Sequence, residues 1–333
     1  MDLFNTIQTL NAAFGPSGDE SGVAAAIAQL ARPYVDEVSV DTMGNLICRK
    51  KGSGPKVMFA AHMDSLGLVV THIEKEGFLR VAALGGISAV RILSTPVRFK
   101  NGTRGLISCD GGVGMDKLRM DDLYIDIGAS DEESAKKLVD LGDIAVYDTP
   151  CFEAGPRIMS PYLDNRVSCA VLLCAMERLD KSDNDLYFVF TTQEELGLRG
   201  AKTAAYAIDP MYGIAVDVTA SADTPASKNN CSTKQGAGAA IKVMDHSVIC
   251  HPSVVKKLQK LAQDHGIDHQ PDVKRTGGTD AGAMQPTRCG VYTGGITIPC
   301  RYTHSPTECI FRSDAENAIK LVCAFAQAQL EKE

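Results

Sequence analysis

The apolar run Leu186-Tyr187-Phe188-Val189-Phe190 leads straight into Thr191-Thr192-Gln193-Glu194-Glu195-Leu196-Gly197. It is rich in aromatic and β-branched side chains and is bounded upstream by the polar stretch Lys181 to Asp185. That composition predicts a buried strand. Two adjacent carboxylates at its end then fall where open α/β sheets place their active sites. On its own a Glu-Glu pair reads as a solvated loop, because acids are rarely buried. The pair gains meaning from other element ends that carry acids or histidines in the same way.

Lys56 to Ala61 reads as a second buried strand and ends in His62-Met63-Asp64. The His-x-Asp spacing suits a metal ligand oriented by a nearby carboxylate. Asp164 and Asn165 stand at the start of an apolar helix, Val167 to Leu179, where a plain N-cap is an equal reading. Gly213 to Val216 reads as a strand ending in Asp217, and Gly295 to Pro299 leads to His304. Together His62, Asp164, Glu194, Glu195, Asp217 and His304 form a ligand set suited to paired zinc, cobalt or manganese ions. A thiolate site would need cysteines at these positions, and calcium or magnesium would not call for histidine. One carboxylate can bridge two ions about 3.5–4 Å apart, and the extra glutamate can then take a proton from the attacking water.

The rest of the chain narrows the class. Its 333 residues exceed the size at which one core stops growing, so one large domain or two are expected. A net charge of −7 argues against a nucleic-acid footprint. No apolar stretch is long enough to span a bilayer, and the first residues carry no basic region followed by an apolar one, so neither membrane nor export is expected. The 11 cysteines are odd in number, lack a Cys-x-x-Cys pair and in part sit in apolar helical patterns, which predicts reduced thiols and a cytoplasmic location.

The expected fold is α/β: a mixed central sheet flanked by helices, with an inserted small all-β barrel-like domain. Residues 1–67 and 161–333 read as the catalytic domain and 68–160 as the insert. Within the insert, strands are expected at Val69 to Ile73, Phe78 to Ala82, Thr95 to Phe99, Gly105 to Ser108, Leu123 to Ile127 and Ile144 to Tyr147. Turns such as Glu76-Gly77 and Asn101-Gly102 separate them. The insert shows no motif for chemistry, so dimerisation or assembly is its expected job. Capping boxes with Ser-x-x-Glu spacing are expected at Ser17, Ser130 and Ser313, the last opening a helix that runs to about Leu330.

Several ordered motifs resemble those of the M42 family of metallo-aminopeptidases. They are His62-Met63-Asp64, Leu163-Asp164-Asn165-Arg166, Gln193-Glu194-Glu195-Leu196-Gly197, Val216-Asp217, Gly278-Thr279-Asp280-Ala281 and Arg301-Tyr302-Thr303-His304-Ser305. The likeness covers nearly the whole chain, including the insert. It implies two divalent ions, zinc or cobalt first and manganese also compatible. His62 and Asp217 would hold one and Glu195 and His304 the other, with Asp164 bridging. Asp64 would orient His62, and Glu194 would be the general base. Ser65 departs from the family pattern, in which an acidic residue often follows the His-x-Asp pair. The resemblance further implies short peptide substrates and a homo-dodecamer built from dimers. Two other functions stay open on the sequence: a related di-metal hydrolase of N-acyl amino acids, and a non-catalytic assembly scaffold. A glycosidase fits poorly, because the metals would occupy the carboxylates it needs.

Overall fold

The computed structural model describes residues 1–227 and 231–331. Four strands lie side by side and run parallel: Asp185–Thr191, Lys56–His62, Tyr212–Ala220 and Tyr292–Arg301, in that order. They are buried almost throughout, the pattern of parallel strands covered on both faces. Antiparallel strands extend the sheet on both sides. Leu46–Lys50 and Glu37–Val40 lie beyond Asp185–Thr191. Glu308–Phe311, Arg157–Ser160 and Phe152–Ala154 lie beyond Tyr292–Arg301. Ala239–Met244 branches from Tyr292–Arg301 and carries His269–Val273. Because the central four strands share a direction, their C-terminal ends share one edge; His62 stands opposite Thr191 in register, and Asp217 opposite Thr297.

The helix Leu163–Arg178 is buried without a break from Asn165 to Met176. A helix apolar on all sides belongs in a core. It packs against the helices Leu3–Ala12 and Arg312–Ala326 and against two of the central strands. Its first turn is not the regular capped start that the sequence suggests. Asp164 (φ −80°, ψ 99°) and Asn165 (φ −125°, ψ 31°) have non-helical backbone, and the peptide between them is cis. The Asp164 carboxylate turns to His62 and His304, at 3.1 and 3.4 Å, and not to the N–H groups of its own helix.

The strands Gly67–Ile73, Leu79–Leu84, Leu123–Asp126, Arg104–Cys109, Pro96–Phe99 and Ile144–Tyr147 close into an antiparallel barrel in that order. All six match segments expected from alternation, and they enclose a core of their own that includes Leu68, Val97, Phe99 and Ile125. Of the predicted capping boxes none forms as expected. The second helix starts at Ser21 with no side-chain cap, because Ser17 Oγ bonds instead to Asp64 Oδ2 at 2.6 Å. The box at Ser130 moves one residue on, to Asp131 and Ser134, and caps only the single turn Glu132–Ala135. The last helix is Arg312–Ala326 with no side-chain cap at Ser313, and it ends before Leu330.

Candidate metal centre

All six sequence-selected acids and histidines line one cavity of about 580 Å³ at the C-terminal edge of the central strands. His62 is the last residue of its strand and is buried. Its Nδ1 lies 3.2 Å from the Asp64 carbonyl and 3.4 Å from Asp64 Oδ1. Both partners accept, so Nδ1 carries a ring proton, and Nε2 faces the cluster. Nε2 is 3.1 Å from Asp164 Oδ1, 3.8 Å from Asp217 Oδ1 and 3.9 Å from Glu194 Oε2. His304 repeats the arrangement with Nδ1 2.8 Å from the Gly86 carbonyl. Its Nε2 faces Asp164 Oδ2 at 3.4 Å and Glu195 Oε1 at 3.6 Å. Asp164 thus stands between the imidazoles with one oxygen toward each. Donor atoms of His62, Asp164 and Glu195 fall within 4.8 Å of one another, as do those of His62, Glu194 and Asp217.

Asp64 lies beneath this layer, fully buried. Its carboxylate accepts from Ser17 Oγ at 2.6 Å and from the backbone N–H groups of Glu194 and Glu195 at 3.0 and 3.3 Å. Asp217 is not at a strand end: its strand continues to Ala220, and the side chain accepts from the Val218 N–H at 2.7 Å.

Sequence reasoning missed several groups. Glu308 accepts the backbone N–H of Asp164 and that of His304, each at 2.7 Å. Its only sequence signal is its place four residues after His304. Gly86, in the insert, contributes the carbonyl that orients His304, so the insert does reach the chemistry. Asp280, inside a quoted motif but without a role, accepts from Thr191 Oγ1 at 2.6 Å while its Oδ1 has no partner among the described residues.

The electrostatics of the cluster follow from burial and crowding. Burial, with added repulsion between acids, pushes the Glu194 and Asp217 carboxyls well above the usual range. Burial and the neighbouring Asp164 push Glu195 up to about 7. Burial also raises Asp164, but the two imidazoles outweigh it and hold that carboxyl low. Burial disfavours charge on His304, yet Asp164 and Glu195 raise it to about 10. Such a surplus of buried acid calls for cationic partners. The residues present fit divalent ions: both Nε2 atoms point at the carboxylates while their Nδ1 atoms are engaged by backbone carbonyls, and Glu195 Oε1 is buried without a hydrogen-bond partner among the described residues. A mixed nitrogen and oxygen donor set suits zinc, cobalt or manganese.

The model for the M42 glutamyl aminopeptidase family matches residues 44–321, a span that holds every one of these groups except Ser17. The chain belongs to that family. A relative from Acetivibrio thermocellus that is named an aminopeptidase is 46% identical over 96% of this chain and 97% of its own. The aminopeptidase of the archaeon Desulfurococcus kamchatkensis has a TM-score of 0.94 at 39% identity, covering 98% of this chain and 94% of that one. The TET1 peptidase of Pyrococcus horikoshii, which can assemble into a tetrahedron or a large octahedral shell, has a TM-score of 0.89 at 31% identity and covers 98% and 99%. Membership of M42 makes the protein a hydrolase of the aminopeptidase class, which the scaffold and acyl-amino-acid readings do not provide. Among the described residues no helix is long and apolar enough to cross a membrane.

Proposed function

We propose that the chain is a dinuclear metal-dependent aminopeptidase that removes N-terminal residues from short peptides. One observation carries this reading: Asp164 directs one oxygen to each of two imidazoles whose Nδ1 atoms are already engaged by backbone carbonyls. His62 and Asp217 would hold one ion, Glu195 and His304 the other, with Asp164 shared. Zinc and cobalt suit the set best, and manganese is compatible. When bound, the ions would polarise the scissile carbonyl and make water a nucleophile at neutral pH. Glu194, on the cavity wall, takes the proton of the attacking water and passes it to the leaving amine. Asp64 holds the His62 ring and the Glu194-Glu195 backbone in place. The surrounding carboxylates are acceptors for the substrate's free ammonium, which confines cleavage to the N-terminus.

We assign catalysis to residues 1–67 and 161–333 and assembly to the insert, 68–160, whose barrel ends at Tyr147; the strands Phe152–Ala154 and Arg157–Ser160 at the end of that range belong to the central sheet. Among the described residues, five of the 11 exposed large apolar side chains, Val90, Leu106, Met115, Leu138 and Leu141, lie on or between the barrel strands, which favours this part as the contact surface. A homo-dodecamer built from dimers agrees with the shells described for the Pyrococcus horikoshii relative. A cytoplasmic location agrees with 11 cysteines that are all free.

The test is metal removal. Chelated protein should lose hydrolysis of aminoacyl chromogenic substrates and regain it with two ions per chain by elemental analysis. Full activity in excess chelator, with no metal in the protein, would overturn the reading.

A further inference from the structure

Glu308 is 2% exposed and opens the short strand Glu308–Phe311, beside Tyr292–Arg301. Its Oε2 accepts the Asp164 N–H and its Oε1 the His304 N–H, each at 2.7 Å. Both oxygens are engaged by backbone, and Glu308 does not line the cavity. The two residues it grips both lie in irregular backbone. Asp164 has non-helical backbone in the first turn of its helix, and His304 sits in the left-handed region at φ 61°. A left-handed histidine is held there by its surroundings and not by intrinsic preference. Asp64 does the same on the other side of the cluster, where one carboxylate gathers the N–H groups of Glu194 and Glu195.

We propose that Glu308 is a positioning residue of the metal centre. Its one carboxylate sets the separation of Asp164 and His304, and so the geometry of the ion held by His304, Glu195 and Asp164. This rests on the dinuclear reading above. Glutamine keeps the shape of Glu308 but offers one acceptor and turns an NH₂ group toward the second backbone N–H.

Asp314 provides a matched control. It is buried and accepts the backbone N–H groups of Gly236 and Gly238 at 2.8 and 2.9 Å, and it bonds to none of the proposed ligands. Stripped wild-type, Glu308→Gln, Glu308→Asp and Asp314→Asn proteins would be titrated with cobalt(II), reading calorimetric affinity and the visible absorption of the bound ion. Glu308→Gln should bind one of its two cobalt ions about 10–100-fold more weakly, the usual effect of losing an outer hydrogen-bond partner, and with an altered spectrum. Glu308→Asp should lie between, and Asp314→Asn should bind as wild type even where its melting temperature falls. If Glu308→Gln does not fold, Glu308→Asp decides: wild-type affinity and spectrum in that variant overturn the proposal. Equal affinities for Glu308→Gln and wild type, or an equal loss in Asp314→Asn, overturn it too. A wild-type chain that takes up no cobalt would instead bring down the dinuclear reading beneath it.

Discussion

Glu194 and Glu195 are neighbours in sequence but not in surroundings. Glu194 Oε2 approaches His62, while Glu195 Oε1 approaches His304. The divergence does not come from strand alternation, as an extended segment would give it. Both residues lie past the strand end in a turn closed by the Gly197 and Leu198 N–H groups on the Glu194 carbonyl, and the Asp64 carboxylate pins their own N–H groups. Glu194 also completes a donor group with His62 and Asp217, so position alone leaves its role to chemistry. Glutamine retains a hydrogen-bond acceptor but cannot take a proton. Glu194→Gln should keep both ions and lose about 10²–10⁴-fold in turnover, the usual worth of a general base. Glu195→Gln should release one ion and recover part of its activity in excess metal. Elemental analysis alongside turnover separates the two. A Glu194→Gln enzyme rescued by metal, next to a Glu195→Gln enzyme inactive with two ions bound, would reverse the assignment.

At the scale of elements, the loop between the barrel strand Leu79–Leu84 and the short helix Ala89–Ile92 couples the insert to the site. Gly86 presents its carbonyl to His304 Nδ1, and Arg91 donates to the Thr303 carbonyl at 2.9 Å. A Cβ at position 86 would stand 3.0 Å from His304 Nδ1 and 3.2 Å from Cε1, tighter than ordinary contact. Gly86→Ala should therefore displace the ring and lower activity by about 10–100-fold, as other outer-shell changes do. Sizing and circular dichroism should show the barrel and the assembly unchanged. Activity equal to wild type would mean that the loop does not seat His304. Periodicity made the barrel strands legible, as did the hydrophobic runs ending at His62 and before Glu194, because burial on one face or both imposes a pattern on consecutive residues. Glu308, Gly86 and Ser17 left no such trace. Each acts through one bond to a residue distant in sequence or in irregular backbone, which no local pattern encodes. The cap expected at Ser17 failed for the same reason: the Ser17 hydroxyl is taken by Asp64, and Glu20 accepts from the Gly18 and Gln193 N–H groups at 2.8 and 3.2 Å.

For the whole molecule, the cluster links stability, pH and metal. In the metal-free chain, burial and Asp164 raise Glu195 from 4.5 to about 7, and burial raises Asp280 from 3.8 to about 6. Against the cost of burial, Asp164 and Glu195 raise His304 from 6.5 to about 10. All three folded-state values lie above the unfolded ones, so the folded chain binds more protons between them. The stability they contribute is complete below the unfolded values. It is lost as pH climbs through about 6 and 7 for the two acids and toward about 10 for His304. Asp223 has the opposite sign: its exchange with Arg301 outweighs burial and holds it at about 2, so its contribution is lost only below pH 3.8. Between pH 5 and 9 the first set governs. The melting temperature of stripped protein should fall steadily across that range. Metal replaces the protons, because ligands coordinate deprotonated and binding releases protons. Reconstituted protein should therefore resist the fall, and divalent-ion affinity should rise with pH through about 7 as Glu195 loses its proton. Calorimetry in two buffers of different ionisation enthalpy would count the protons released. A stripped chain that grows more stable from pH 5 to 8, or metal uptake that releases none, would show that the buried acids and imidazoles are not held as a proton-loaded metal site.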